Sequence, residues 1–233
     1  MKLDERLSLC AAFVREGARV ADIGTDHAYL PVWLVQSGKV LSAIAADVRE
    51  GPLENAVSNI RKNGLENRIR AVLSDGLEQI KAEETDDIII AGMGGELIAR
   101  IIEAAGWVRN PDKHLILQPM TRAEELRQYL CENGFATLRE EACISGRKSY
   151  SVMLCAYDGK TRPCSIQYAY VGNLWQQNSP QARQYMYAVC VKLKKKLRGY
   201  EPGTKEAAEL SELISRLEHH TEGYRYDQCE GAL

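Results

Sequence analysis

The chain has 233 residues, 45% hydrophobic and 27% charged, a composition ordinary for a globular protein and a length for one large domain or one domain plus an appendage. Its formal net charge of -2 leaves no global basic excess, so a nucleic-acid partner would have to meet a local patch. No run of about 18 apolar residues predicts a membrane span, the polar start "MKLDERLSLC" lacks the apolar core of a secretion signal and predicts a cytoplasmic protein, and seven scattered cysteines without CxxC or zinc spacing read as reduced thiols and predict no metal site.

Leu3, Leu7, Cys10, Ala11 and Val14 recur at helical spacing and predict an amphipathic helix over 3–15. Segments then alternate. Strands are predicted at 18–23, 40–46, 69–73, 86–91 and 114–118, and helices at 28–37, 51–63, 95–104 and 121–132. The second of these helices ends at the stop signal Asn63-Gly64. Such alternation argues for an open parallel sheet with helices on both faces. After Gly134 the pattern changes. "FATLREEACI" and "SYSVMLCAY" are two strands joined by "SGRK", and a connection that short makes them antiparallel. "YDGKTRPCS" has the breaker residues of a linker. Two amphipathic helices follow, at about 180–199 and 203–221, separated by "GYEPG", and their apolar stripes predict a helical hairpin. The expected division is a unit over 1–160 and a C-terminal helical unit over 161–233.

In an open parallel sheet, ligands bind beyond the carboxyl ends of the strands. The first strand ends in "DIGTDHAYLP", with Asp22, Gly24 and Asp26. The second ends in Asp47, beside Val48, at the interval after Gly24 expected of a ribose-binding acid. The third ends in Ser74-Asp75-Gly76 and the fourth in Gly92-Met93-Gly94-Gly95. Three successive strand ends thus present carboxylates, and Asp22 and Asp26, close to the cleft the phosphates need, would repel a dinucleotide pyrophosphate. S-adenosylmethionine has a ribose and an adenine, no phosphate, and two cationic groups, so an acidic rim suits it. In this reading Asp47 accepts from the ribose hydroxyls, Ser74 and Asp75 lie near the adenine, and Gly24 lets the backbone approach the methionine part.

The words "ADIGTDHAYLP", "SDGL", "IAGMGG" and "LILQP" in this order, with the opening "RLSL" helix and the helical tail, resemble the bacterial tRNA (adenine-22-N1)-methyltransferase family over essentially the whole chain. The resemblance implies a class I, Rossmann-like methyltransferase domain with an antiparallel last strand in a seven-stranded sheet. It also implies a small coiled-coil-like C-terminal domain, S-adenosylmethionine as methyl donor, and methylation of N1 of an adenine in the tRNA D-arm. The match carries the cofactor role onto Asp22, Gly24, Thr25, Asp26, His27, Asp47, Asp75, Gly92 and Met93. After "LILQP" stands Met120, where the family pattern leads one to expect a polar residue.

Adenine N1 carries an in-plane lone pair and needs no deprotonation, so positioning can do most of the catalysis. The product is a cation, which a nearby carboxylate stabilises. Asp26 is the candidate, unless it serves the cofactor alone. Met93 lines a slot for the base or fills the core. His27 donates to a ligand carboxylate or caps a helix, and Tyr29 stacks on the base or packs inside. Gln118, at a fifth strand end, is placed to bond the adenine edge. The basic helix 183–198, with Arg183, Lys192, Lys194, Lys195, Lys196 and Arg198, and Arg147-Lys148 at the hairpin turn, could track tRNA phosphates or be a solvated face. Two other readings stay open: a methyltransferase-fold RNA-binding protein without catalysis, and an NAD-dependent oxidoreductase, which Asp26 disfavours.

Overall fold

The computed structural model describes residues 2–201 and 203–222; Cys229 and the end of the expected C-terminal unit lie outside them. Helix α1 (Glu5–Phe13) starts where the Asp4 carboxylate accepts from Leu7 N at 2.7 Å, so Leu3 enters the core ahead of the helix rather than within it. Five strands and four helices then alternate: β1 (Arg19–Ile23), α2 (Tyr29–Gln36), β2 (Ser42–Asp47), α3 (Glu50–Lys62), β3 (Ile69–Leu73), β4 (Asp87–Gly94), α4 (Gly95–Ala104), β5 (His114–Thr121) and α5 (Ala123–Glu132). The link from β3 to β4 carries a single 3-10 turn, Ala82–Glu84, instead of a helix. The long hairpin β6 (Phe135–Ser145) and β7 (Lys148–Tyr157) completes the sheet.

The strand order of this seven-stranded sheet is β3-β2-β1-β4-β5-β7-β6. Strands β1 to β5 are parallel, and β7 is antiparallel to both β5 and β6. The central strands are buried on both faces, which explains near-continuous apolar runs such as Ile88-Ile89-Ile90. One face is covered by α1, α2 and α3, with Cys10, Leu34 and Ile60 in that core; the other by α4 and α5, with Ile98, Ile102 and Leu126. Two strands run past their predicted ends. β4 and β5 stay paired to Gly94 and Thr121 through a bulged register, so Gly92, Met93 and Gly94 extend the strand and Gly95 opens α4 directly.

The tail is built from α6 (Ile166–Val171), a 3-10 turn (Gly172–Gln176), α7 (Pro180–Leu197) and α8 (Lys205–His220). Ser179 and Thr204 cap α7 and α8. These elements share an apolar core that includes Leu174, Met186, Leu193, Leu213 and Leu217. The short α6 escapes a periodicity reading and is held by tertiary contacts. Arg127 of α5 and Glu140 of β6, both fully buried, form an ion pair at 2.6 Å. Arg127 also donates to Ala169 O at 2.8 Å and to the Tyr185 hydroxyl at 3.2 Å, while Glu140 accepts from Asn173 N at 2.9 Å. Burial opposes the Arg127 charge, but Glu140 and Tyr185 hold it protonated above the ordinary arginine range. Gly172, at φ +55, passes so close that an added Cβ would stand 2.0 Å from Glu140 Oε2. The segment expected as a linker is thus followed at once by chain anchored to α5 and β6.

Candidate active site

The carboxyl ends of β1 and β2 bring two of the predicted acids, Asp22 and Asp47, together. β1 and β2 are paired through Ile23 and Ala46, and Gly24 N and Thr25 N both donate to Ala46 O. Asp22 is 7% exposed and Asp47 6%. Burial pushes the Asp22 carboxyl up to about 6, and Asp47 adds to the rise, whereas the Thr25 hydroxyl and Arg6 pull it down. Thr25 Oγ1 is itself buried and lacks a partner with full hydrogen-bond geometry. Asp47 Oδ1 accepts from Arg49 N at 2.8 Å and lies 3.6 Å from Arg49 Nε. This leaves one buried carboxylate at each of two adjacent strand ends, where the crevice of an open parallel sheet lies.

The loop after β1 is strained. Gly24 (φ +75), His27 (φ 58) and Ala28 (φ 52) all take left-handed conformations, which cost non-glycine residues energy and cluster at functional sites. Asn59 of α3 holds the loop by donating to His27 O at 2.7 Å. Asp26 points outward, 79% exposed, with His27 Nε2 at 3.4 Å. Tyr29 is 42% exposed and stacks on His27 with ring centroids 5.2 Å apart; of its two predicted roles, core packing is not the one adopted. At Gly24 an added Cβ would lie 2.0 Å from Met93 Cε. Met93 therefore leans over the β1 loop from the end of β4 and narrows the crevice.

Of the remaining predicted residues, Ser74 is committed to its own turn, since its hydroxyl donates to Gly76 O and accepts from Gln79 N. Asp75 is exposed beside a cavity of about 340 Å³ walled by Leu77, Leu97 and Trp107. Gly76 tucks its backbone against Ile101, and Val48 is exposed at the mouth. Gln118 is wholly buried and its amide is saturated. Oε1 accepts from Gly92 N at 3.0 Å and from Arg6 at 2.9 Å, and Nε2 donates to Pro119 O. It braces the ends of β4 and β5 instead of presenting an edge to a ligand. A larger groove of about 550 Å³ along α3, lined by Leu53, Val57 and Arg61, runs on the β3 edge of the sheet, and none of these acids lines it.

Sequence reasoning missed Arg6. From the first turn of α1 it crosses to Gln118, and its guanidinium is the cation acting on Asp22. One arginine on the polar face of an amphipathic helix carries no sequence signal, because the contact spans 112 positions. The predicted basic helix is also less free than its letters suggest. Lys194 pairs with Glu218 at 2.6 Å, Lys192 lies 3.4 Å from Glu124, and Lys196 donates to the Tyr170 hydroxyl at 2.8 Å. Lys195 and Arg198 are exposed, as are Arg147 and Lys148 at the hairpin tip. Among the described residues no His/Cys/Asp/Glu cluster has the form of a metal site, and no helix is long and apolar enough to cross a membrane.

The sequence matches the methyltransferase-domain family over residues 3–153. It is 40% identical to the tRNA (adenine(22)-N(1))-methyltransferase of Bacillus subtilis (strain 168) over 166 residues, 68% of this chain and 70% of that protein. The fold is similar to that of a Streptococcus pneumoniae protein assigned as a tRNA (m1A22) methyltransferase and solved with S-adenosyl-L-methionine. That match has a TM-score of 0.82 at 34% identity, over 94% of this chain and all (100%) of that one. It is similar too to the B. subtilis m1A22 tRNA methyltransferase TrmK, with a TM-score of 0.79 at 31% identity over 95% of this chain and 99% of that one.

Proposed function

The chain belongs to the tRNA (adenine(22)-N(1))-methyltransferase family, and on that premise we propose that it methylates N1 of adenine 22 in the D-arm of tRNA, with S-adenosylmethionine as donor. The observation that carries the reading is the pair of buried carboxylates, Asp22 and Asp47, at adjacent strand ends beside a glycine that admits close approach. A pyrophosphate would find no cradle against them, and an NAD-dependent reaction is disfavoured for that reason.

The residues fit the donor. Asp47 has carboxylate lone pairs beyond its bond to Arg49 N for two ribose hydroxyls. Asp22 and Asp26 place negative charge where the donor is cationic. Arg6 is the counterpart: its guanidinium has donors left after Gln118 and meets the donor's one anionic group, the methionine carboxylate. The buried Thr25 Oγ1 and the backbone at Gly24, Gly92 and Met93 complete that half of the site. Asp75, with apolar Leu97 beyond it, faces the adenine amino group.

When bound, S-adenosylmethionine supplies an electrophilic methyl group. The chain's own work is to hold an unstacked adenine with N1 free and to exclude water from the crevice. Met93 and the stacked His27–Tyr29 pair offer the target base its apolar and aromatic surfaces. N1 loses no proton on methylation, so no general base is called for; Asp26 offsets the positive charge that develops on the ring. Gln118 acts by keeping Arg6 and Gly92 in place.

The N-terminal 160 residues carry the chemistry, and residues 161–233 supply tRNA contacts through the exposed Lys195 and Arg198, with the hairpin cations Arg147 and Lys148 adding to them. A cytoplasmic location follows from the substrate. The direct test incubates the purified chain with labelled donor and tRNA transcripts carrying A22 or G22. Label in the first and not the second supports the reading; equal label in both, or none in either, contradicts it. Asp26→Asn should cut transfer at least tenfold while tRNA still binds, about the scale of an electrostatic contribution to catalysis.

A further inference from the structure

A cleft of about 150 Å³ opens between the catalytic sheet and α7. One side is the end of β5, with Met120 and Arg122, and the start of β7, with Ser149 and Tyr150; the other is the face of α7 that carries Ala188 and Lys192. It lies at the carboxyl end of the parallel strands, the end that also bears Asp22 and Asp47. Because β7 is antiparallel and Leu117 is paired with Met153, Ser149 and Tyr150 overhang the end of β5. None of these side chains is used in the chemistry argued above.

We propose that this cleft is a second nucleotide subsite. It takes one base of the tRNA other than the target, stacked on Tyr150, with the adjoining phosphates met by Lys192 and Arg122. The inference rests on the tRNA reading of the active site. The space is well below the roughly 300 Å³ at which sites for drug-sized ligands begin, and suits a single planar ring rather than a whole nucleoside. Tyr150 is half-buried and Met120 is 42% exposed beside it, an aromatic and a soft apolar surface of the kind that every base can stack on. Ser149 Oγ is buried and has no partner, so a hydroxyl able to donate or accept awaits a polar edge. Lys192 makes only a long contact to Glu124, at 3.4 Å, and Arg122 pairs with Glu96 and, at 3.2 Å, with Glu125, all three side chains well exposed; solvent-screened pairs of this kind are weak enough for a phosphate to displace. Methylation requires the target base to leave its stack, and a neighbouring base captured in this cleft would hold the arm open.

The test uses the full chain and whole tRNA. Ala188 is exposed on α7, so Ala188→Trp fills the cleft without entering the core. Tyr150→Ala removes the stacking surface and Tyr150→Phe keeps it. Steady-state methylation is measured against tRNA concentration, and donor affinity separately. Ala188→Trp and Tyr150→Ala should raise the KM for tRNA about tenfold, the scale of one lost base–aromatic stack, with Tyr150→Phe near wild type and donor affinity unchanged throughout. If the wild-type chain methylates tRNA and the first two variants keep its KM, the subsite is refuted and the active-site reading stands. If Tyr150→Phe is as impaired as Tyr150→Ala, stacking is refuted as the mode of capture. A wild-type chain that methylates no tRNA overturns the active-site reading, and the subsite with it.

Discussion

Asp22 gives the most quantitative handle on the site. Its carboxyl is buried, and burial raises it from 3.8 to about 6, with Asp47 pushing the same way. A native-state acid weaker than the unfolded one binds its proton more tightly when folded. Stability from this group is therefore complete below about pH 4 and is lost as pH rises through 6. At neutral pH the cost of keeping the charge is roughly 3 kcal/mol, at about 1.4 kcal/mol per tenfold change. Asp22→Asn retains the shape and removes the cost. Without ligand, the variant should be more stable than wild type by up to ~3 kcal/mol at pH 7.5, by about half that near pH 5, and by little at pH 4. Urea unfolding at several pH values measures the difference. The same variant should bind S-adenosylmethionine more weakly, because the charge it lacks is the one the cationic donor would neutralise. A gain in stability with a loss of affinity marks a residue held for function. A variant less stable than wild type at pH 7.5, or one whose advantage does not change with pH, would refute the reasoning.

Other outcomes follow from the same geometry. Asp47→Ala should weaken donor binding by roughly 1.5–3 kcal/mol, the scale of hydrogen bonds to a charged group; calorimetry on the folded variant checks this, and unchanged affinity would remove Asp47 from the ribose site. Arg127→Ala leaves Glu140 buried and uncompensated and should cost about 3–5 kcal/mol in chemical denaturation, while a chain ending at residue 160 loses the Ala169 and Tyr185 partners of Arg127 and should be destabilised in the same direction. Lys195→Ala with Arg198→Ala should weaken tRNA binding and flatten its dependence on salt by up to about 2 in log–log slope; a wild-type slope would assign these cations to a solvated face.

The parallel core was legible because each strand is a short apolar run closed by turn chemistry, and because β1 ends in Asp22 and β2 in Asp47, positions that topology alone brings together. The β6–β7 hairpin was legible from a connection too short for a crossover. What escaped depends on contacts distant in sequence. α6 spans six residues, too few for periodicity, and exists because Arg127 and Glu140 bind its carbonyls and the turn after it. Arg6 enters the site through a side chain bonded to Gln118, 112 positions away. Gln118 looked like a ligand-facing amide at a strand end, but the bulged extension of β4 turns Gly92 N toward it and uses its oxygen. The run "KLKKKLR" reads as one basic patch in one dimension; on the helix its lysines diverge toward Tyr170 and Glu218.

The central claim is that a ring nitrogen is methylated at a site that supplies charge and position but no base. The most direct measurement is nucleoside mass spectrometry of tRNA after incubation with the chain and S-adenosylmethionine, under chromatography that separates 1-methyladenosine from N6-methyladenosine. The account predicts 1-methyladenosine, mapped to position 22. N6-methyladenosine in its place would mean that an exocyclic amine, which must lose a proton, is the nucleophile, and would contradict the mechanism argued from Asp22, Asp26 and Asp47.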